Sequence, residues 1–153
     1  MADTIQPWPL VEKDARGHPV RTLQHLLRAR GHTVTVDGIF GAKTDAAVRS
    51  FQEAEDLDVD GIVGPLTWSA LIVTVKKGSR GDAVRGVQEE FRHRDETGDP
   101  SLALQVDGIF GPKTDAAVRG FQEALSLDYP EVVVDGIVGP ISWRALVSGM
   151  LTL

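Results

Sequence analysis

Residues 36–54 read VDGIFGAKTDAAVRSFQEA, and residues 106–124 read VDGIFGPKTDAAVRGFQEA. The two stretches differ only at Ala42/Pro112 and Ser50/Gly120. Self-similarity of this kind decides the architecture first, because it divides one chain into repeated structural units. Working outward, VDGIVGPLTWSAL at 59–71 returns as VDGIVGPISWRAL at 134–146. More loosely, KDARGHPVRTLQ at 13–24 returns as KGSRGDAVRGVQ at 77–88. The offset between copies grows along the chain from 64 to 70 to 75. The second copy therefore carries insertions of six residues within 92–105 and five within 126–133. Both segments contain Pro, Asp or Gly and read as lengthened surface loops, which cost little entropy. The division that follows is a first unit over 1–75, with its core at about 10–72, and a second over 76–153, with its core at about 78–147.

Each unit is expected to fold as three short helices. In the first, Val20, Leu23, Leu26 and Leu27 keep helical spacing after Pro19, and Gly31 supplies a stop. The counterpart starts near Asp82 and places Val84, Val87 and Phe91 on one face. The second helix is predicted over 42–54, with Ala47, Val48, Phe51 and Ala54 as its apolar stripe. Pro112 fits the first helical position, where its missing N–H is not needed, so Gly111 and its equivalent Gly41 precede the helix. The third helix repeats this grammar with Gly64 and Pro65. An Asp-Gly turn precedes the second and third helices, with at most short extended pairs beside it. The fold class is thus all-α, as two tandem three-helix units. Leu71 to Lys77 runs from one unit into the next without a Gly/Ser- or Pro-rich linker, which predicts a stiff junction. Units of about 60–75 residues lie near the lower limit for a self-sufficient core, so the two are expected to brace each other.

The chain has 153 residues, with 16 Lys+Arg against 22 Asp+Glu, a net charge of −6. The charge divides evenly, −3 on each half. That argues against a nucleic-acid partner, which calls for a basic face, and against a polybasic membrane anchor. No apolar run reaches the roughly 18 residues of a membrane span. The start, MADTIQPWPL, lacks the basic and apolar regions of a secretory signal. Zero cysteines remove disulfides, thiolate metal sites and cysteine nucleophiles together.

In order, the blocks are G-x-x-V-x-x-L/V-Q, then D-G-I-F-G-x-K-T-x-x-A-V-x-x-F-Q, then D-G-I-V-G-P-x-T/S-W-x-x-L. This resembles the bacterial peptidoglycan-binding domain found beside wall amidases, carboxypeptidases, spore-cortex enzymes and phage endolysins. The resemblance covers roughly 10–75 and 74–147. It implies a three-helix fold and binding to peptidoglycan or muropeptides, including the stem peptide. It also implies a cell-wall or extracellular location and association with a wall hydrolase domain or protein. Asp14 stands where the pattern expects the glycine found at Gly78, and Val87 stands where Leu is usual.

Two readings stand side by side for each candidate binding residue. Asp37, Asp60, Asp107 and Asp135 either set turns or also face a ligand amine. The neighbouring Ile62 and Ile137 belong to the same turns. The helix N-termini at Gly41, Gly64, Gly111 and Gly139 either bind a carboxylate or are satisfied by water and the hydroxyls of Thr44, Thr67, Thr114 and Ser142. Phe40 and Phe110 are expected at a partly exposed rim, whereas Phe51, Phe121, Trp68 and Trp143 are expected in the core. Arg49 with Gln52, and Arg119 with Gln122, either hydrogen-bond a peptide or form a solvated helix face.

Two patterns resemble metal sites. Asp56, Asp58, Asp60 and Gly61 match the start of a calcium loop, but Thr67 replaces the closing Glu, and Glu131, Val133 and Asp135 break the pattern in the second copy. His18, His25 and His32 recur every seven residues, whereas zinc ligands on one helix want spacing near four. No metal or cofactor is expected. No histidine recurs in both copies, so no catalytic residue is assigned and the reading is a non-catalytic binding module. The alternatives are a protein-interaction or inhibitory domain on the same fold, or the wall-targeting part of a phage endolysin or injection device. Metalloprotease prodomains with a similar three-helix fold inhibit through a cysteine ligand, which this chain lacks.

Overall fold

A computed structural model describes residues 4–95 and 104–152. Among the described residues there are six helices: α1 (Val20–Ala29), α2 (Ala42–Ala54), α3 (Pro65–Leu71), α4 (Asp82–His93), α5 (Pro112–Ser126) and α6 (Pro140–Val147). The expected bounds of α2 agree with those observed. Three of the six begin with proline at the first helical position, and Gly41, Gly64, Gly111 and Gly139 hold extended backbone just before their helices. Arg92 and His93, expected in a loop, close α4 instead. The loop expectation for 96–103 lies outside the described residues.

Extended structure among the described residues is limited to isolated bridges. Val11 pairs with Val63 and Arg16 with Ile39 in the first unit, and Val75 with Val138 and Arg80 with Ile109 in the second. In each unit the segment leading into the first helix therefore crosses both Asp-Gly turns. The junction between units is itself such a segment. Val73 accepts the Trp143 indole N–H at 2.8 Å, as Pro9 accepts that of Trp68 at the same distance. Arg30 donates to the carbonyls of Leu71 and Ile72 at the end of α3, and Arg94 to those of Leu146 in α6 and Met150 beyond it. The Trp143 and Arg30 bonds tie the junction to both units.

Each unit closes on a small apolar core. Leu23, Leu27, Phe40, Phe51, Val63 and Trp68 are fully buried in the first, and Val87, Phe110, Val138, Trp143 and Leu146 in the second. The units also brace each other, because α1 packs along α4. Gly86 makes room for that approach: a Cβ there would sit 3.3 Å from the Trp143 ring and 3.7 Å from both Thr22 and His25. Beneath the contact lies Glu90, fully buried. Its carboxylate accepts from the Thr22 hydroxyl at 2.6 Å, from Arg94 Nη1 at 2.7 Å, and bonds His18 Nε2 at 2.8 Å. A buried charge survives only when paired and hydrogen-bonded in this way.

Candidate functional site: four equivalent turn-helix grooves

The Asp-Gly turns are built by glutamines. Gln52, on α2 and buried, donates Nε2 to Asp60 Oδ1 at 3.0 Å, to the Ile62 carbonyl at 3.0 Å and to Thr67 Oγ1 at 3.2 Å. Its Oε1 accepts the backbone N–H groups of Asp60 and Gly61 at 3.2 and 3.0 Å. Asp60 Oδ1 also accepts the Ile62 N–H at 2.9 Å, an Asx turn. Gln24 makes the same set with Asp37, Gly38, Ile39 and Thr44, and Gln122 with Asp135, Gly136, Ile137 and Ser142. Gln88 likewise holds Asp107, Gly108, Ile109 and Thr114.

Each glycine takes a positive φ, from 73° to 77°. Over each lies the arginine three residues before the glutamine: Arg21, Arg49, Arg85 and Arg119. A Cβ on Gly61 would meet Arg49 at 2.8 Å and Asp45 at 2.7 Å, so only glycine fits. Arg49 is held there by Asp45 at 3.1 Å and by the Asp60 carbonyl at 3.3 Å, and Arg119 by Asp115 and the Asp135 carbonyl. The motif R-x-x-Q, then D-G-I-x-G-x-x-T/S, thus occurs four times, twice per unit. The gap from Gln to Asp varies from 8 to 19 residues, whereas the gap from Asp to Thr or Ser is always 7.

Several expectations are corrected. Phe40 and Phe110 are not at a rim, being 0% and 1% exposed. Alternation in extended backbone sends Ile39 and Ile109 outward and the next residue inward, and the Phe40 N–H bond to the Ala15 carbonyl fixes that register. Gln52 and Gln122 do not face a ligand, because both ends of each amide are used by the turn. Thr44 and Thr114 are buried, and their hydroxyls accept from glutamine instead of serving the helix N-terminus. Arg49 and Arg119 lie on the exposed helix face, as one of the two readings has it, and each also covers a turn. Phe51, Phe121, Trp68 and Trp143 are buried as expected. Gln24 and Gln88 were missed, although their place three residues after an arginine and ahead of each turn is readable in the chain.

A shallow groove lies between each turn and the helix after it. The first is lined by Asp37, Ile39, Gly41 and Lys43, with a volume of about 290 Å³. Asp60, Ile62, Gly64 and Leu66 line the second, of about 230 Å³. The third has Asp107, Ile109, Gly111 and Lys113, bordered by Leu104 and Gln105. Asp135, Ile137, Gly139 and Ile141 line the fourth, of about 170 Å³. Three of the turn carboxylates, Asp37, Asp60 and Asp107, have pKa values below the ordinary aspartate value. For Asp37 the main cause is the Gln24 amide, followed by the Ile39 N–H. For Asp60 and Asp107 it is the N–H of Ile62 and Ile109, with Gln52 and Gln88 adding to it. In all four turns the glutamine amide bonds Oδ1 of the aspartate. No cluster of three His, Cys, Asp or Glu suited to a metal exists among the described residues. Nor is any described helix long and apolar enough to cross a membrane.

A helix, an Asp-Gly turn and a second helix, closed by a buried glutamine, form the repeating element of the fold. Residues 16–71 and 80–146 both match the family described as "Putative peptidoglycan binding domain", and the chain belongs to that family as a tandem pair. It is 34% identical over 131 residues to the zinc D-Ala-D-Ala carboxypeptidase of Streptomyces albus G, covering 86% of this chain and 45% of that protein. It is also 34% identical over 127 residues to the N-acetylmuramoyl-L-alanine amidase CwlM of Mycobacterium tuberculosis, covering 76% of this chain and 29% of that one. The chain therefore spans less than half the length of these two enzymes. Among solved structures, the SleB N-terminal domain is 41% identical over 41% of this chain and 88% of its own, with a TM-score of 0.40. A Burkholderia AP3 phage endolysin is 23% identical over 92% of this chain and 61% of its own, with a TM-score of 0.42.

Proposed function

We propose that the chain is a non-catalytic module that holds peptidoglycan through its turn-helix grooves, reading stem peptide and adjacent sugar. The supporting observation is the fourfold cage: each groove carries an Asp carboxylate, an exposed or half-buried Ile and a preformed helix start in the same places. The grooves are of two kinds. The first of each unit presents Lys43 or Lys113 beside its aspartate, which suits a peptide bearing both charges. The second presents Leu66 or Ile141, both exposed, which suits apolar parts of a peptide or an acetamido methyl. Several weak sites on one rigid chain gain apparent affinity when they engage together, by roughly 10²–10⁴ for a matched pair. A wall or extracellular location, with a hydrolase domain or protein as partner, follows from this reading.

The test is retention of the full chain on purified sacculi. Ile39→Asp and Ile109→Asp place a charge on the groove floor without touching the core. The parent is expected to be retained, and the double variant to lose most of that retention. A parent chain that washes off, or a double variant retained equally, ends the proposal. Release of soluble wall fragments by the purified chain would end its non-catalytic part.

A further inference from the structure

The repeat makes α1 and α4 equivalent, with Arg21 matching Arg85, Arg28 matching Arg92 and His18 matching Asp82. The two helices pack so that another equivalent pair meets: His25 Nε2 lies 3.5 Å from Glu89 Oε1. The contact therefore has two ends related by the repeat. At one end Asp82 serves both neighbouring arginines, its Oδ1 lying 3.0 Å from Arg85 Nη1 and 3.5 Å from Arg28 Nε. At the other end the equivalent of Asp82 is His18. There Arg21 and Arg92 form no ion pair among the described residues, and Arg21 Nη1 donates to the Val36 carbonyl at 3.3 Å.

Where that carboxylate is missing, the structure has an open cavity. It measures about 430 Å³ and is walled by His18, Arg21, Thr22, Glu89, Arg92 and His93. The nearby acids have partners of their own. Glu89 Oε1 lies 3.5 Å from His25 Nε2, and that bond is the main cause of its lowered pKa, with the charges of Arg21 and Arg92 adding to it. Glu90 is buried beneath, bonded to Thr22, His18 and Arg94. His18 and His93 stack at 4.4 Å, giving the cleft one flat side.

We propose that this cleft between the units binds a carboxylate group, held between Arg21 and Arg92 where the chain's own repeat places the carboxylate of Asp82. Two arginines at a partly enclosed site recognise a planar, two-oxygen anion by paired N–H donation. The site exists only because the units are joined, and it adjoins the first turn at Arg21. A carboxylate seated there also bridges α1 and α4.

The test uses the full chain, isotope-labelled, with three probes: an N-acetylated dipeptide with a free C-terminus, its C-terminal amide, and acetate. The free acid is expected to shift the Arg21, Arg92 and His93 resonances saturably, and the amide is not. Acetate is expected to shift the same resonances. If it binds as tightly as the dipeptide, the carboxylate alone is recognised. If it binds more weakly, the peptide contributes as well. Arg92→Gln changes an exposed side chain and is expected to weaken binding at least tenfold. Arg28→Gln, at the opposite end, is expected to leave binding unchanged. Equal shifts from acid and amide, an Arg92→Gln variant that binds as tightly as the parent, tighter binding of inorganic phosphate, or no shift with any probe would each overturn the proposal. Retention of Arg92→Gln on sacculi reports separately on the grooves.

Discussion

Gln52 and Asp60 are eight residues apart, and each completes the hydrogen bonding of the other: the glutamine amide donates to the carboxylate at 3.0 Å and accepts the aspartate's own N–H at 3.2 Å. The same reciprocal pair holds Gln24 to Asp37 and Gln122 to Asp135. A helix thereby fixes a turn that no helix contains, and the turn in turn aims the next helix.

Gln52→Leu should test that coupling. The leucine keeps the bulk but strands the Asp60 and Gly61 N–H groups. Leaving buried donors unpaired costs about 1–3 kcal/mol each, so a loss of roughly 2–3 kcal/mol is expected after local relaxation. Chemical denaturation should show it as a lower midpoint at unchanged slope.

Acid should loosen the turns. The folded-state pKa values of Asp37, Asp60 and Asp107 are depressed below the ordinary aspartate value. A depressed acid contributes stability that is fully present above its unfolded pKa, about 3.9, and is lost as pH falls through the folded value. Urea midpoints should therefore hold steady down to about pH 5 and decline below about pH 4. Asp107→Asn keeps the Oδ1 acceptor but cannot titrate, so its acid decline should be shallower. An identical decline in the variant would refute the linkage.

Glu90→Ala should separate the units more than it harms either core. It leaves Arg94, His18 and Thr22 facing an empty buried site, and removing one member of a buried charge network costs roughly 3–5 kcal/mol. Hydrogen exchange should quicken at the facing residues of α1 and α4 before it does in α2 and α5.

Gly120→Ala should stabilise. Gly120 lies within α5 on an exposed face, and a Cβ there meets nothing within 4 Å. A helix-interior alanine is worth roughly 0.5–1 kcal/mol over glycine. Gly136→Ala should do the opposite, because its φ is 74° and a Cβ would lie 2.7 Å from Asp115. Paired thermal melts of the two variants should move in opposite directions.

The chain by itself determined the elements. Helix bounds, proline starts, Asp-Gly turns and the buried tryptophans follow from rules that act within a few residues, and the repeat confirmed each by stating it twice. Tertiary structure decided what those rules do not reach. Which of Ile39 and Phe40 points inward depends on a bridge to Arg16, distant in sequence. The glutamines stand at a fixed place after an arginine, but the turn each one holds lies across a gap that varies from 8 to 19 residues, so the pairing is settled only in the folded chain. The cleft at His18 depends on α1 meeting α4, a contact between units that no local propensity encodes. Turn chemistry is local and was legible; burial, register and shared charge arise only when distant segments compete for the same space.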